Sequence, residues 1–227
     1  MDHKTLTAVN EYLGGFVTPA RLEKIKKVLS RRTRYITVVL EDIFQPHNAS
    51  AVLRSCECFG IQDVHIIENR YQYEVNPDVA LGASKWLHLK KYNDGEYNSL
   101  TCLKKLKQRG YAIVATSPHE RDFSPGNLPL EKPIALLFGT EQEGLTTEAL
   151  EMADAFLRIP MAGFTESFNI SVSAAICLYE LTDRLRKSDL AWQLEPKDQE
   201  LLMHEWLRAS IKNPDLLIER FLENLSE

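Results

Sequence analysis

The chain is expected to fold as an α/β protein, a mostly parallel sheet covered by helices on both faces. Three observations predict this. Apolar, strand-like runs alternate with stretches of helical periodicity. Several runs, residues 35–40 and 134–138 above all, are almost wholly apolar, as strands buried on two sides are. Polar and glycine-containing segments follow those runs, at the edge where open parallel sheets gather ligands.

The elements follow in order. Residues 3–13 and 19–32 read as helices; in the second, Leu22, Ile25, Val28 and Leu29 mark an apolar face, and Lys24, Lys27 and Arg31 fall on another. The β-branched run Ile36-Thr37-Val38-Val39 makes 35–40 a buried strand. Pro46 opens a helix from about His47 to Phe59, and Gly60 ends it. Strands follow at 64–67 and, shorter, at 86–89. A helix over 96–109 stops at Gly110, and 111–116 is a strand. Residues 117–132, with Pro118, Pro125 and Pro129, form a surface loop. Then come a strand at 134–138, a helix at 146–153, a strand at 156–159 and a long helix from about Ser167 to Arg186. Helical stretches near 196–210 and 213–225 close the chain. The expected organisation is an N-terminal helical extension (1–33), a core (34–188) and a C-terminal helical extension (189–227).

Composition narrows the function. With 44% hydrophobic and 26% charged residues in a chain of 227, this is an ordinary globular composition. A net charge of −5 excludes a nucleic-acid binder that works by bulk charge. Local charge differs: Arg21, Lys24, Lys26, Lys27, Arg31, Arg32 and Arg34 cluster against the single acid Glu23, whereas acids dominate the C-terminal region. Such a basic run serves as a phosphate-binding face or as plain solvated surface. Cys56, Cys58, Cys102 and Cys177 have no C-x-x-C spacing, and the histidines are scattered, so reduced thiols and no metal are expected. There is no 18-residue apolar run, and Met1-Asp2-His3-Lys4 does not open a signal peptide. A soluble, cytoplasmic protein without a membrane partner is the expectation.

Familiar nucleotide and hydrolase signatures are missing. No G-x-G-x-x-G follows a strand. Gly139 and Gly144 have P-loop spacing, but Leu145-Thr146 replaces the required Lys-Ser/Thr, and Glu141 and Glu143 would repel phosphate. No G-x-S-x-G elbow occurs. Three polar segments remain, each after an apolar strand: Asn48 to Arg54, Phe138-Gly139-Thr140-Glu141-Gln142-Glu143-Gly144, and Ile159-Pro160-Met161-Ala162-Gly163-Phe164-Thr165-Glu166-Ser167-Phe168-Asn169-Ile170-Ser171-Val172.

These segments resemble, in order, the three motifs of the SPOUT superfamily of methyltransferases, in its TrmH (SpoU) branch of RNA ribose 2'-O-methyltransferases. The first family motif places an Asn six residues before an Arg, matching Asn48 and Arg54; the second reads F-G-x-E-x-x-G; the third reads I-P-M-x-G-x-x-x-S-[L/F]-N-[V/I]-S-V. The resemblance covers about residues 20–190. The basic helix before the first strand and the C-terminal extension are similar to those of branch members that methylate guanosine 18 of the tRNA D-loop.

The resemblance implies a deep trefoil knot within about 134–188, a homodimer in which one subunit completes the other's site, and S-adenosylmethionine as methyl donor. Thr116, Gly139, Ile159, Met161 and Phe168 match its cofactor contacts, although packing alone would explain the side chains of Ile159 and Phe168. Arg54 matches the catalytic arginine, acting as base or as an electrostatic positioner of the ribose. Asn48 would orient Arg54 or the ribose, or cap its helix. Glu141 would bond Arg54 or Asn169, and Ser167 and Asn169 would cap the knot helix and face the site. Arg21, Lys24, Lys27, Arg31 and Arg32 would meet tRNA phosphates. The family carries an arginine near the position of Asp183, and Arg184 or Arg186 takes its place. Ribosomal RNA or another tRNA position is the alternative substrate. A catalytically silent RNA-binding knot protein would have lost Arg54, Asn169 or Gly139-x-Glu141, and all are present.

Overall fold

The structure is a computed structural model that describes residues 1–72, 80, 82–117 and 122–226. Its helices are α1 (His3–Gly14), α2 (Pro19–Leu29), α3 (Pro46–Phe59), α4 (Asn98–Gln108), α5 (Thr147–Glu151), α6 (Ile170–Arg186), α7 (Pro196–Ser210) and α8 (Pro214–Ser226). Its strands are β1 (Ile36–Glu41), β2 (Asp63–Ile67), β3 (His88–Tyr92), β4 (Ala112–Thr116), β5 (Ile134–Phe138) and β6 (Ala155–Leu157). The chain divides into two compact units, residues 33–192 and residues 1–32 with 193–227. In the second of these, α1 packs against α7 and α8, so the two ends of the chain share one helical unit.

In the larger unit the six strands lie in the order β3-β2-β1-β5-β4-β6, and every pairing is parallel. Side chains alternate between two cores. Ile36, Val38 and Leu40 of β1 join Ile134, Leu136 and Phe138 of β5 under α3 and α6. Val39, Ala135 and Leu137 face the other way, under Cys102, Leu103 and Leu106 of α4 and Ala149 of α5. Largely apolar strands are what this double cover requires, and the buried polar residues in them, such as Thr37, are hydrogen-bonded.

Several boundaries differ from expectation. The strand expected at 86–89 forms at His88–Tyr92, after a 3-10 turn at Ala83–Trp86. Being an edge strand, β3 tolerates Lys90 and Lys91, which an apolar-run reading passes over. Helix α2 ends at Leu29, with Arg32 N–H turning back to the Leu29 carbonyl. Strand β6 stops at Leu157, and α6 starts at Ile170 because Asn169, not Ser167, caps it. Part of the expected 117–132 loop, residues 118–121 with Pro118, lies outside the described residues.

One buried group gives a pH-dependent stability. His65 on β2 is 2% exposed and shares a 3.0 Å hydrogen bond with Tyr92 Oη. Burial, then the Lys90 charge, push its pKa down to about 4. Between the unfolded value near 6.5 and this folded value, the unfolded chain binds the proton and the folded chain does not. Its contribution is therefore complete above pH 6.5 and is lost as pH falls, by at most about 3 kcal/mol. Replacing His65 with Gln should flatten urea-unfolding free energy across pH 4–6.5; an unchanged slope would assign the effect elsewhere.

Candidate active site

The three polar segments meet at the carboxyl ends of β1, β5 and β6, the crevice such sheets use for ligands. After β1 the chain turns into α3, with Gln45 as N-cap and Pro46 in the first turn. Asn48, in that turn, is buried. Its Nδ2 donates to Glu141 Oε1 at 3.0 Å. Asn169 Nδ2 donates to the same oxygen at 2.6 Å and to Asn48 Oδ1 at 3.1 Å. One carboxylate oxygen thus ties the start of α3, the loop after β5 and the start of α6. Asn169 also turns its Oδ1 to Ser171 N–H at 2.9 Å, capping α6.

The loop holding Glu141 is closed by its own backbone. Thr140 N–H donates to the Gly144 carbonyl at 2.9 Å, and Gly144 N–H donates back to Thr140 at 3.1 Å. Gly144 has φ +72°, open to glycine. A Cβ on Gly139 would collide with the Gly144 carbonyl and the Leu145 nitrogen. Below the loop, the buried Glu41 carboxylate accepts from Thr146 N–H and Thr146 Oγ1, both at 2.9 Å, and from Ser99 Oγ. Glu41 therefore fixes the end of the loop where Thr146 caps α5. Sequence reasoning missed this residue; an acid at the inner end of an apolar strand was its signal.

Beside the cluster lies a cavity of about 360 Å³. Thr116, Gly139, Ile159, Met161 and Phe168 all line it, with Glu141 and Ser167 supplying polar atoms. Its size and mixed lining suit a small organic ligand. Among the described residues, no group of His, Cys, Asp or Glu is arranged to share a metal ion.

Several expected roles are corrected. Asn48 does not cap α3; Gln45 holds that place, and its Oε1 accepts from Asn48 Nδ2 at 3.1 Å. Ser167 lines the cavity and does not cap α6. Of the two partners expected for Glu141, Asn169 is bonded and Arg54 is not, and Asn48 is a further partner. Arg54 stands exposed on α3, away from the cavity lining, with no hydrogen bond or ion pair among the described residues.

The expected RNA contacts also separate. Lys24, Lys27 and Arg31 are exposed on and just beyond α2. Arg21 is half-buried and reaches Ser210 Oγ at 3.4 Å. Arg32 is fully buried with its guanidinium 5.1 Å from the Trp206 ring centroid, so it is a packing residue. Arg184 donates through Nη1 to the Pro125 carbonyl at 2.6 Å and through Nη2 to Leu128 at 2.7 Å, fastening a loop to α6. Its guanidinium is committed to the fold, not to a phosphate. On α6 and the segment before it, Phe164, Phe168, Val172 and Tyr179 are exposed.

Residues 35–179 match the model of the SpoU rRNA Methylase family. Over 225 residues, 99% of each chain, the sequence is 42% identical to the tRNA (guanosine(18)-2'-O)-methyltransferase of Borreliella burgdorferi. It is 35% identical over 195 residues to the enzyme of the same name from Thermus thermophilus, covering 84% of this chain and 97% of that one. Among solved structures, the A. aeolicus TrmH/SpoU tRNA modifying enzyme superposes with a TM-score of 0.74 at 26% identity, covering 86% of this chain and 98% of that one.

Proposed function

The chain belongs to the SpoU rRNA Methylase family, and from that we propose that it is an S-adenosylmethionine-dependent tRNA methyltransferase acting on the ribose 2'-hydroxyl of guanosine 18. The observation that carries this reading is the Asn48–Glu141–Asn169 cluster beside the cavity, which joins the three motifs in one hydrogen-bonded unit. Full-length similarity to enzymes named for guanosine 18 favours tRNA over ribosomal RNA.

The residues present fit the donor. Apolar side chains of Phe138, Leu157, Ile159 and Phe168, with the backbone of the 139–144 loop, form a wall for a nucleoside-sized molecule. When bound, S-adenosylmethionine supplies an electrophilic methyl group on a sulfonium. Glu141 holds the two asparagine amides at the cavity edge, whose N–H groups are spent within the cluster, and its second carboxylate oxygen is left to accept from a ribose hydroxyl. Ser167 adds a hydroxyl at the same rim. Methyl transfer requires the ribose hydroxyl to lose its proton. A guanidinium keeps its charge in proteins, so Arg54 acts by placing the ribose and stabilising the forming alkoxide.

Arg54 does not line the cavity of its own chain. We assign its meeting with a cavity to a homodimer, in which α6 of one copy lies on α3 and α6 of the other. The exposed Val172 and Tyr179, seven residues apart on α6, supply an apolar seam for that contact. The trefoil knot is supported by the path of the chain. Helices α5 and α6 cover opposite faces, so residues 158–169 cross the carboxyl edge of the sheet. There β6 lies between β4 and Phe123, whose N–H donates to the Phe156 carbonyl at 3.0 Å and whose carbonyl accepts from Arg158 N–H at 2.8 Å.

Labelled S-adenosylmethionine offered with unmodified tRNA and, separately, ribosomal RNA tests the substrate class: label is expected in tRNA. Label confined to ribosomal RNA would overturn it. The exposed lysines of α2 are assigned to phosphates. A Lys24→Ala/Lys27→Ala variant should show a log–log salt slope for tRNA binding about two units shallower than the native protein. An unchanged slope would remove α2 from the interface.

A further inference from the structure

Two aromatic rings stand exposed at the same edge of the sheet, outside the cavity. Phe44, in the turn after β1, is 65% exposed, and Tyr71, after β2, is 39% exposed. Their centroids lie 4.9 Å apart with planes at 68°. An edge-to-face pair left in water forfeits burial on its open faces, which calls for an explanation beyond packing.

The pair is held in place from below. Asp42, buried and at φ 52°, accepts from Asn69 N–H at 2.6 Å, Arg70 N–H at 2.9 Å and Asn69 Nδ2 at 3.2 Å. An Asp at positive φ is uncommon, and here it clamps the turns after β1 and β2 together. Each ring also has a neighbour that reaches the Asn48–Glu141–Asn169 cluster or the loop that carries it. Gln45, next to Phe44, accepts from Asn48 at 3.1 Å. Arg70, next to Tyr71, pairs with Glu143 of the 139–144 loop at 2.6 Å. The rings therefore flank the site and face solvent beside it.

We propose that Phe44 and Tyr71 form a stacking platform for an unpaired RNA base next to the nucleotide whose ribose is methylated. The proposal rests on the RNA-methylation reading above. An enzyme that must reach a hydroxyl inside a folded RNA has to splay the local nucleotides, and the unstacked bases need new faces to cover. Exposed aromatic rings supply such faces for any base, because every base has a π-face. The platform gives grip without choosing the base.

The test uses full-length protein and a tRNA transcript with 2-aminopurine on either side of the methylated nucleotide. Native protein should quench the probe at one of the two positions. Phe44→Leu/Tyr71→Leu keeps apolar volume but removes the π-faces. It should lose the quenching and raise KM for tRNA by about tenfold, the loss of one stacked base, with kcat at saturating tRNA within about twofold of native. Affinity for S-adenosylmethionine should stay at the native value, and Phe44→Trp/Tyr71→Phe should restore the quenching. Native-like quenching and KM in the Leu variant would overturn the platform. So would a change of oligomeric state in that variant by light scattering, which would make the rings a contact with a second copy. If native protein methylates no RNA, the functional reading fails; if it does and the Leu variant matches it, the platform alone fails.

Discussion

Arg54→Ala should lower methyl transfer to tRNA by a factor of about a hundred to a thousand, the cost of removing one preorganised charge from a forming oxyanion. S-adenosylmethionine affinity should not change, because Arg54 is absent from the cavity lining and bonds nothing there. Stability should not change either: the side chain is exposed and makes no hydrogen bond or ion pair among the described residues. Arg54→Lys keeps the charge but loses the planar fork, so it should recover only part of the rate. Rates come from label transfer, and binding from calorimetry with the cofactor alone. Equal loss of cofactor affinity in the Ala variant would place Arg54 in the cavity and contradict the account.

The second large effect falls on Gly139. A methyl group there would overlap the backbone of Gly144 and Leu145, across the bridge between Thr140 and Gly144. The neighbour is main chain, not a flexible side-chain tip, so the loop itself must move. Gly139→Ala should destabilise the protein by about 1–3 kcal/mol, as overpacking does. It should also weaken S-adenosylmethionine binding by more than about tenfold, since the displaced loop is the cavity wall. Gly144→Ala is the control. Its φ of +72° imposes strain, but a Cβ there meets no atom within 4 Å. It should cost about 1 kcal/mol while keeping most cofactor affinity. Calorimetry and thermal melts separate the two; indistinguishable variants would mean that backbone conformation, not close approach, governs the loop.

The alternation of helices with largely apolar strands was legible because a sheet covered on both faces leaves β5 wholly apolar and β1 apolar but for the hydrogen-bonded Thr37 and Glu41. Of the five cavity residues, Gly139, Ile159, Met161 and Phe168 were legible because they lie in the second and third motif segments, and Thr116 because it ends an apolar strand at the same sheet edge. What escaped sequence reasoning was set by contacts distant along the chain. Arg32 sits inside a basic run, yet it packs on Trp206 from the other end of the chain, and a charge count cannot see that. Arg184 likewise serves the carbonyls of Pro125 and Leu128. The extent of strand β3, not its existence, escaped because edge strands accept lysines. Glu41 and Asp42 escaped because their partners, Thr146 and Asn69, follow from topology rather than from spacing.

The most direct test of the central claim is to map the methyl group. Purified protein, S-adenosylmethionine and an unmodified tRNA transcript are incubated, and the product is digested and sequenced by mass spectrometry. The account predicts a single 2'-O-methylguanosine at position 18, absent when that ribose is replaced by deoxyribose. A methyl group on a base, or no methylation of any tRNA, would contradict it.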